Sequence, residues 1–293
     1  MIKGIIPPIA TPFINNEIAF EKLKENLSRW NRTDLSGYVV FGSNGESVFL
    51  TRDEKLRLIE FVKANIPAGK NLIAGTGSDS IKETISLSND AANLGADAAL
   101  ILTPSFYKGQ MKHEAFVEYF TEVADNITIP LLIYNVPKFT GVTIEAETVA
   151  KLAEHSNIIG IKNSEENTAR LAEIINLTPA DFITIVGTAS VLYPGLCMGA
   201  TGGILALANI APNECVQIYR FVQEGKHFEA KNLQMKMLAV NKAVTAAYGV
   251  AGLKAALDLT GYFGGEPRSP LPGLSAAQKE GLINILKKAE IIK

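Results

Sequence analysis

Ile158-Ile159-Gly160-Ile161-Lys162 is a short run of apolar, mostly β-branched residues that ends on a charged amine. Its length and β-branched content read as a buried strand. An ammonium set in an apolar wall loses solvation, which brings the neutral amine within reach near pH 7. A neutral amine adds to ketones and forms a Schiff base. Most lysines at strand ends simply carry their charge past the apolar edge into water. What Lys162 means therefore depends on the fold around it.

Repetition decides that fold. Runs of the same kind recur at residues 4–10, 37–41, 71–75, 98–102, 130–134, 183–187 and 201–206, so the run at 158–162 is the sixth of eight. Segments of helical periodicity separate them, most clearly in the first three gaps: Phe20, Leu23, Leu27 and Trp30 fall three to four apart. Thr51-Arg52-Asp53-Glu54 and Ser80-Ile81-Lys82-Glu83 are capping-box patterns, each opening a helix. Alternating strands and helices make a parallel sheet, and strands buried on both faces read as continuous apolar runs, as these do. Eight βα units in roughly 210 residues fit an α/β fold of the (β/α)₈ TIM-barrel type, whose usual size is about 250 residues. A doubly wound open sheet would want a glycine-rich phosphate loop after the first strand. Here that strand runs into Thr11-Pro12-Phe13. Residues 1–211 are thus expected to form the barrel. Residues 212–293 read as an additional C-terminal helical region packed on it, with Ser275-Ala276-Ala277-Gln278 capping the last helix.

The bulk numbers bound the function. The 293 residues are 47% hydrophobic and 20% charged, enough for a large core and unlike a disordered chain. Lys+Arg 28 against Asp+Glu 30 leaves a net charge of -2, so nucleic acid and anionic membrane surfaces are not expected partners. No apolar run is long enough to span a bilayer, and the first residues lack a signal-peptide layout, which points to the cytoplasm. Cys197 and Cys215 lack metal-ligand spacing. His113, His155 and His227 lie apart in polar stretches read as helical, so no metal site is expected.

In a barrel the active site lies at the C-terminal ends of the strands. The second run ends in Phe41-Gly42-Ser43-Asn44-Gly45-Glu46, a tight turn with backbone N–H groups that could cradle a carboxylate, or an ordinary turn before a capped helix. The fifth ends in Tyr134, a phenol that could move protons, or a common amphipathic strand-end aromatic. The seventh ends in the small residues Gly187-Thr188-Ala189-Ser190. The eighth contains Gly202-Gly203-Ile204, where backbone can approach a ligand or bulge. Together an amine, a phenol, a hydroxyl and backbone donors share one rim. That set suits iminium formation with a 2-oxo acid, followed by loss of a proton or carbon substituent at C3. This is class I aldol chemistry, for which no cofactor is expected.

The motifs Gly42-Ser43-Asn44-Gly45-Glu46, Tyr134-Asn135-Val136-Pro137 and Gly160-Ile161-Lys162, in this order and spacing, resemble the pyruvate-dependent class I aldolase family of dihydrodipicolinate synthase and N-acetylneuraminate lyase. The resemblance runs over nearly the whole chain. It implies a TIM barrel, often a homotetramer, with Lys162 as Schiff-base lysine, Tyr134 as proton-transfer phenol and Ser43 as proton relay. It also implies that Ser43 and Asn44 hold the pyruvate carboxylate, with Gly187 and Ile204 beside it. Two departures bear on the partner of pyruvate. Phe139 stands where dihydrodipicolinate synthases carry an arginine for the aldehyde's carboxylate. Phe106 replaces their relay tyrosine, leaving the next residue, Tyr107, as the substrate-binding candidate there. The segments Gly187-Thr188-Ala189-Ser190, Ala206-Leu207-Ala208-Asn209 and Gly261-Tyr262-Phe263-Gly264-Gly265 are similar to 4-hydroxy-2-oxoglutarate aldolase, which implies a substrate-binding role for Ser164. The expected activity is cleavage or formation of a 4-hydroxy-2-oxo acid from pyruvate and an aldehyde. Dihydrodipicolinate synthase and 2-keto-3-deoxy sugar acid aldolase are the alternatives within the chemistry. A non-catalytic sensor of 2-oxo acids is the alternative outside it.

Overall fold

The computed structural model describes residues 2–293. Eight parallel strands carry the fold: β1 (Gly4–Ile6), β4 (Gly37–Val40), β5 (Asn71–Ala74), β6 (Ala98–Leu102), β7 (Leu131–Asn135), β8 (Ile158–Asn163), β9 (Ile183–Val186) and β10 (Gly202–Ile204). Between β1 and β4 lies a small antiparallel hairpin, β2 (Phe13–Ile14) and β3 (Glu17–Ile18). The eight pair in the order β1-β10-β9-β8-β7-β6-β5-β4. The remaining gap closes through a parallel bridge from Pro8 to Val39, with the Ile9 N–H donating to the Val39 carbonyl at 3.0 Å and the Val39 N–H to Pro7 at 3.0 Å. The ring is a barrel, as the eight apolar runs predict.

Strand limits differ from the sequence reading by a residue or two, except in the first run. There β1 stops at Ile6 because Pro7 and Pro8 lack the N–H that a ladder needs. The strands are buried on both faces, β4 and β7 at every position, which is why they read as unbroken apolar runs. Alternate residues enter the lumen: Ile6, Val39, Ile73, Leu100, Leu132, Ile185 and Ile204 fill it, with Tyr134 and Val136 in the same cluster.

The residues facing outward are covered by helices α1 (Phe20–Trp30), α2 (Arg52–Asn65), α3 (Ile81–Asn93), α4 (His113–Asn126), α6 (Ala146–Leu152), α7 (Thr168–Leu177), α8 (Leu192–Cys197) and α9 (Pro212–Gln223), with a short α5 (Pro137–Thr140) after β7. Thr51 makes a full capping box at α2; Ser80 caps α3 by accepting from the Glu83 N–H. His155 sits in the turn after α6, outside the helix that its polar surroundings suggest. Trp30 is fully buried, and its indole N–H donates to the Asn209 carbonyl at 2.9 Å. The Asn209 side chain accepts from Ala10 and donates to Pro8, tying the segment after β10 to the segment after β1.

α9 packs on β1 and α8 on one side and on α10 (His227–Lys242) on the other. α10 runs into a π-helical turn, Ala243–Ala247, then α11 (Gly249–Leu259) and α12 (Ala276–Lys288), capped by a full Ser275–Gln278 box. Among the described residues, no helix is long and apolar enough to cross a membrane.

Candidate active site

Tyr134 and Lys162 are register partners on the neighbouring strands β7 and β8. Strand pairing thus aims both side chains into the lumen at the C-terminal end of the barrel. Lys162 is 2% exposed, and its Nζ lies 3.9 Å from the centroid of the Tyr134 ring. A cavity of about 380 Å³ opens above them, with Ser43, Asn44, Ser164, Gly187 and Thr188 in its walls. The strand-end lysine therefore does not reach past the barrel into solvent.

Each wall has a local cause. Beyond β4 the chain turns through Phe41 at φ 38° into a 3₁₀ turn, Ser43–Gly45, closed by Glu46 at φ 58°. The N–H groups of Gly45 and Glu46 are taken up inside this turn by the Gly42 and Ser43 carbonyls. Those of Ser43 and Asn44, at its start, have no protein partner among the described residues. The donors of the turn are thus fewer than its sequence suggests, and they sit on the two residues singled out there. Ser164 is set by its N–H to the Asn135 carbonyl at 2.9 Å. A Cβ on Gly187 would lie 2.0 Å from the Ser164 Oγ, so glycine at the end of β9 leaves that serine its place.

The electrostatics centre on Tyr134. Burial pushes its phenol up, but the Lys162 ammonium and the polar groups of Ser43, Ser164 and Lys162 beside it outweigh burial and hold it below its ordinary range. A phenol poised beside an amine is suited to exchanging protons with a substrate held by that amine.

Not every sequence candidate lines this cavity. Ile204 is fully buried within the lumen cluster, beneath the mouth. Tyr107 is exposed beyond β6, edge-on to Phe106 at 5.1 Å, and reaches no wall of the cavity within one chain. Other residues do line it without having been singled out. Val244, Thr245 and Ala246 come from the π-helical turn, and Gly249 and Val250 open α11. Lys138 of α5 also stands in the outer wall, its Nζ donating to the Thr245 carbonyl at 3.0 Å, beside Phe139, the departure the sequence marks, which lines the cavity too. Beneath the mouth, Asn135 donates to Asn163 at 2.9 Å and to Glu165 at 3.0 Å, bracing the ends of β7 and β8. Among the described residues no group of three or more His, Cys, Asp or Glu side chains is placed to hold a metal ion.

Comparison with known proteins fits this geometry. The model of the Dihydrodipicolinate synthetase family matches residues 1–289. The chain belongs to that family. It is similar to the 4-hydroxy-tetrahydrodipicolinate synthases of Methanocaldococcus jannaschii, 35% identical over 293 residues with all of both chains covered, and of Geobacter metallireducens, 35% identical over 292 residues with the same coverage. Among solved structures it resembles dihydrodipicolinate synthase from Aquifex aeolicus, with TM-score 0.94, 30% identity and 99% of each chain covered. It also resembles a prophage protein of the dihydrodipicolinic acid synthase family from E. coli K12, solved in complex with pyruvate, with TM-score 0.93, 26% identity and 99% coverage of each chain. As a dihydrodipicolinate synthetase family member, the chain is an enzyme, a pyruvate-dependent carbon–carbon lyase of the class I aldolase type. These relatives are named synthases; the likeness to 4-hydroxy-2-oxoglutarate aldolase rests on the sequence segments alone.

Proposed function

We propose that this chain cleaves a 4-hydroxy-2-oxo acid into pyruvate and a small aldehyde or oxo acid, in the manner of 4-hydroxy-2-oxoglutarate aldolase. The observation that carries the chemistry is the Lys162 amine lying 3.9 Å over the Tyr134 ring, in one cavity with Ser43 and Ser164. In this reading the Lys162 amine adds to C2 of the 2-oxo acid and water leaves, forming an iminium. Tyr134 takes the proton from the C4 hydroxyl, the C3–C4 bond breaks, and its electrons pass into the iminium. The aldehyde departs, the enamine is protonated at C3, and water returns pyruvate and the free amine. Ser43 relays protons, Ser43 and Asn44 hold the carboxylate, and Ser164 binds substrate. Gly187 gives the pyruvate end its room, and Ile204, buried in the lumen beneath the mouth, supports that end from below without lining the cavity.

Pyruvate with borohydride is expected to modify Lys162 irreversibly, and Lys162→Ala to abolish the adduct and activity while staying folded. A folded wild-type chain left unmodified overturns the Schiff-base assignment. A panel of 4-hydroxy-2-oxo acids, scored by pyruvate release, then identifies the aldehyde half. Binding without release from any of them favours a sensor.

A second reading, 4-hydroxy-tetrahydrodipicolinate synthase, is favoured by the names of full-length relatives at 35% identity. Against it stands Phe139 in the outer wall, an aromatic ring that cannot pair with the carboxylate of aspartate semialdehyde. Formation of a cyclised product from pyruvate and aspartate semialdehyde decides for the synthase. The homotetramer implied by the resemblance is part of the proposal. A chain of TM-score 0.92 to this one is described as a monomeric dihydrodipicolinate synthase variant, so the fold alone carries no assembly.

A further inference from the structure

We propose that Glu46 is a positioning residue for the pyruvate end of the cavity, held in place by Lys254 and Arg268 of the C-terminal region. This rests on the Schiff-base reading above.

Glu46 ends the turn that carries Ser43 and Asn44, in the left-handed region at φ 58°. Such a conformation persists in a non-glycine residue when its surroundings fix it. Here the side chain does the fixing. Glu46 Oε1 lies 2.5 Å from Lys254 Nζ on α11, and both side chains are wholly shielded from solvent. Glu46 Oε2 accepts the backbone N–H of Arg268 at 2.7 Å. The Lys254 Nζ also donates to the Glu266 carbonyl at 2.9 Å and stands 4.3 Å from the centroid of the Phe13 ring. On the same ring, 4.2 Å from its centroid, lies the Arg268 guanidinium, itself paired with Glu54 at 2.6 Å.

A fully buried ion pair adds little stability over an apolar pair of similar size. What this one supplies is a fixed distance. On one side it grips the turn whose Ser43 and Asn44 face the cavity. On the other it grips α11, whose first residues, Gly249 and Val250, form the opposite wall. Thr11 holds the turn from the β1 side by donating to the Gly45 carbonyl at 2.8 Å. Without the Glu46–Lys254 pair, that tether remains while the side toward α11 is loose. Ser43 and Asn44 would then drift relative to Lys162, and the carboxylate would lose its seat before the amine loses its reactivity.

The test is the pyruvate concentration that half-saturates borohydride trapping at Lys162, which requires no knowledge of the aldehyde. Two variants are compared with wild type: Glu46→Gln/Lys254→Met, which removes both buried charges together, and Glu46→Asp, which keeps the charge but shortens the arm. Both are expected to need about tenfold more pyruvate, within the roughly 10²-fold that a displacement on the order of 1 Å can cost, yet to reach the wild-type extent of modification at saturation. Folded variants with an unchanged half-saturating concentration overturn the proposal. If neither variant folds, the pair is a stability element and the proposal fails. Absence of trapping in the wild type overturns the Schiff-base reading instead, and this inference with it.

Discussion

The geometry turns on two residues opposite each other on adjacent strands. Lys162 supplies a cation against the face of Tyr134, and that cation lowers the phenol's pKa against the push of burial. A lowered pKa makes the phenolate available below the ordinary tyrosine value of about 10. If the phenolate removes the C4 hydroxyl proton, cleavage rises with pH through that lowered pKa. Tyr134→Phe is expected to remove this limb of the pH–rate profile and to slow turnover by about 10²–10⁴-fold, the usual worth of a general base. An unaltered profile in the variant would assign the limb to another group. Gly187 offers a second single-residue test. An alanine Cβ there would meet the Ser164 Oγ at 2.0 Å and its Cα at 2.8 Å, so backbone as well as hydroxyl must move. Gly187→Ala is expected to cost about 1–3 kcal/mol in stability, as overpacking does, and to reduce activity more than tenfold through the displaced Ser164. Thermal unfolding and pyruvate release measure the two effects separately.

Elements were legible in the sequence wherever burial or capping is local. All eight barrel strands announce themselves as apolar runs because both faces are covered, and Thr51 and Ser275 make the boxes their spacing predicts. Ser275→Ala removes the cap of α12, a helix away from the cavity. It is expected to cost ~1 kcal/mol, a fall of about 2 °C in the thermal midpoint, with turnover unchanged. A lowered turnover would mean that α12 acts on the site through α11, against which it packs. What escaped the sequence reading depends on distant partners. The β2–β3 hairpin is only two residues deep, and its turn at Asn15 and Asn16, both at positive φ, is the one local hint of it. The π-helical turn Ala243–Ala247 has no composition of its own, yet it brings Val244, Thr245 and Ala246 to the cavity. Asn135 belongs to a sequence motif, but its bracing of Asn163 and Glu165 becomes visible only once β7 and β8 lie side by side. The same holds for Glu46 and Lys254, more than two hundred residues apart in sequence and in contact in the fold.

At the scale of the molecule, the barrel end that carries the cavity differs from an ordinary protein surface. Val48, Phe106, Tyr107 and Phe139 are 83%, 77%, 67% and 63% exposed, all on the loops and short helices that follow β4, β6 and β7. Single exposed apolar side chains are common, but large ones gathered on one face mark a surface that another molecule covers. A net charge of only -2 offers little repulsion between copies, and the homotetramer proposed from the family resemblance supplies a cover. The mass in solution is expected to be a multiple of the 31.5 kDa chain. Phe106→Asp, which places a charge on that surface, is expected to shift the distribution toward smaller species in analytical ultracentrifugation. The same variant also speaks to the cavity. Tyr107 reaches no wall within its own chain, so any part it takes in substrate binding has to be played at a neighbour's cavity. If Tyr107 serves a neighbour, activity per chain should fall together with assembly, and Tyr107→Phe should lower activity in the intact assembly. If smaller species retain full activity, Tyr107 has no role in the reaction, and the cavity described within one chain is complete.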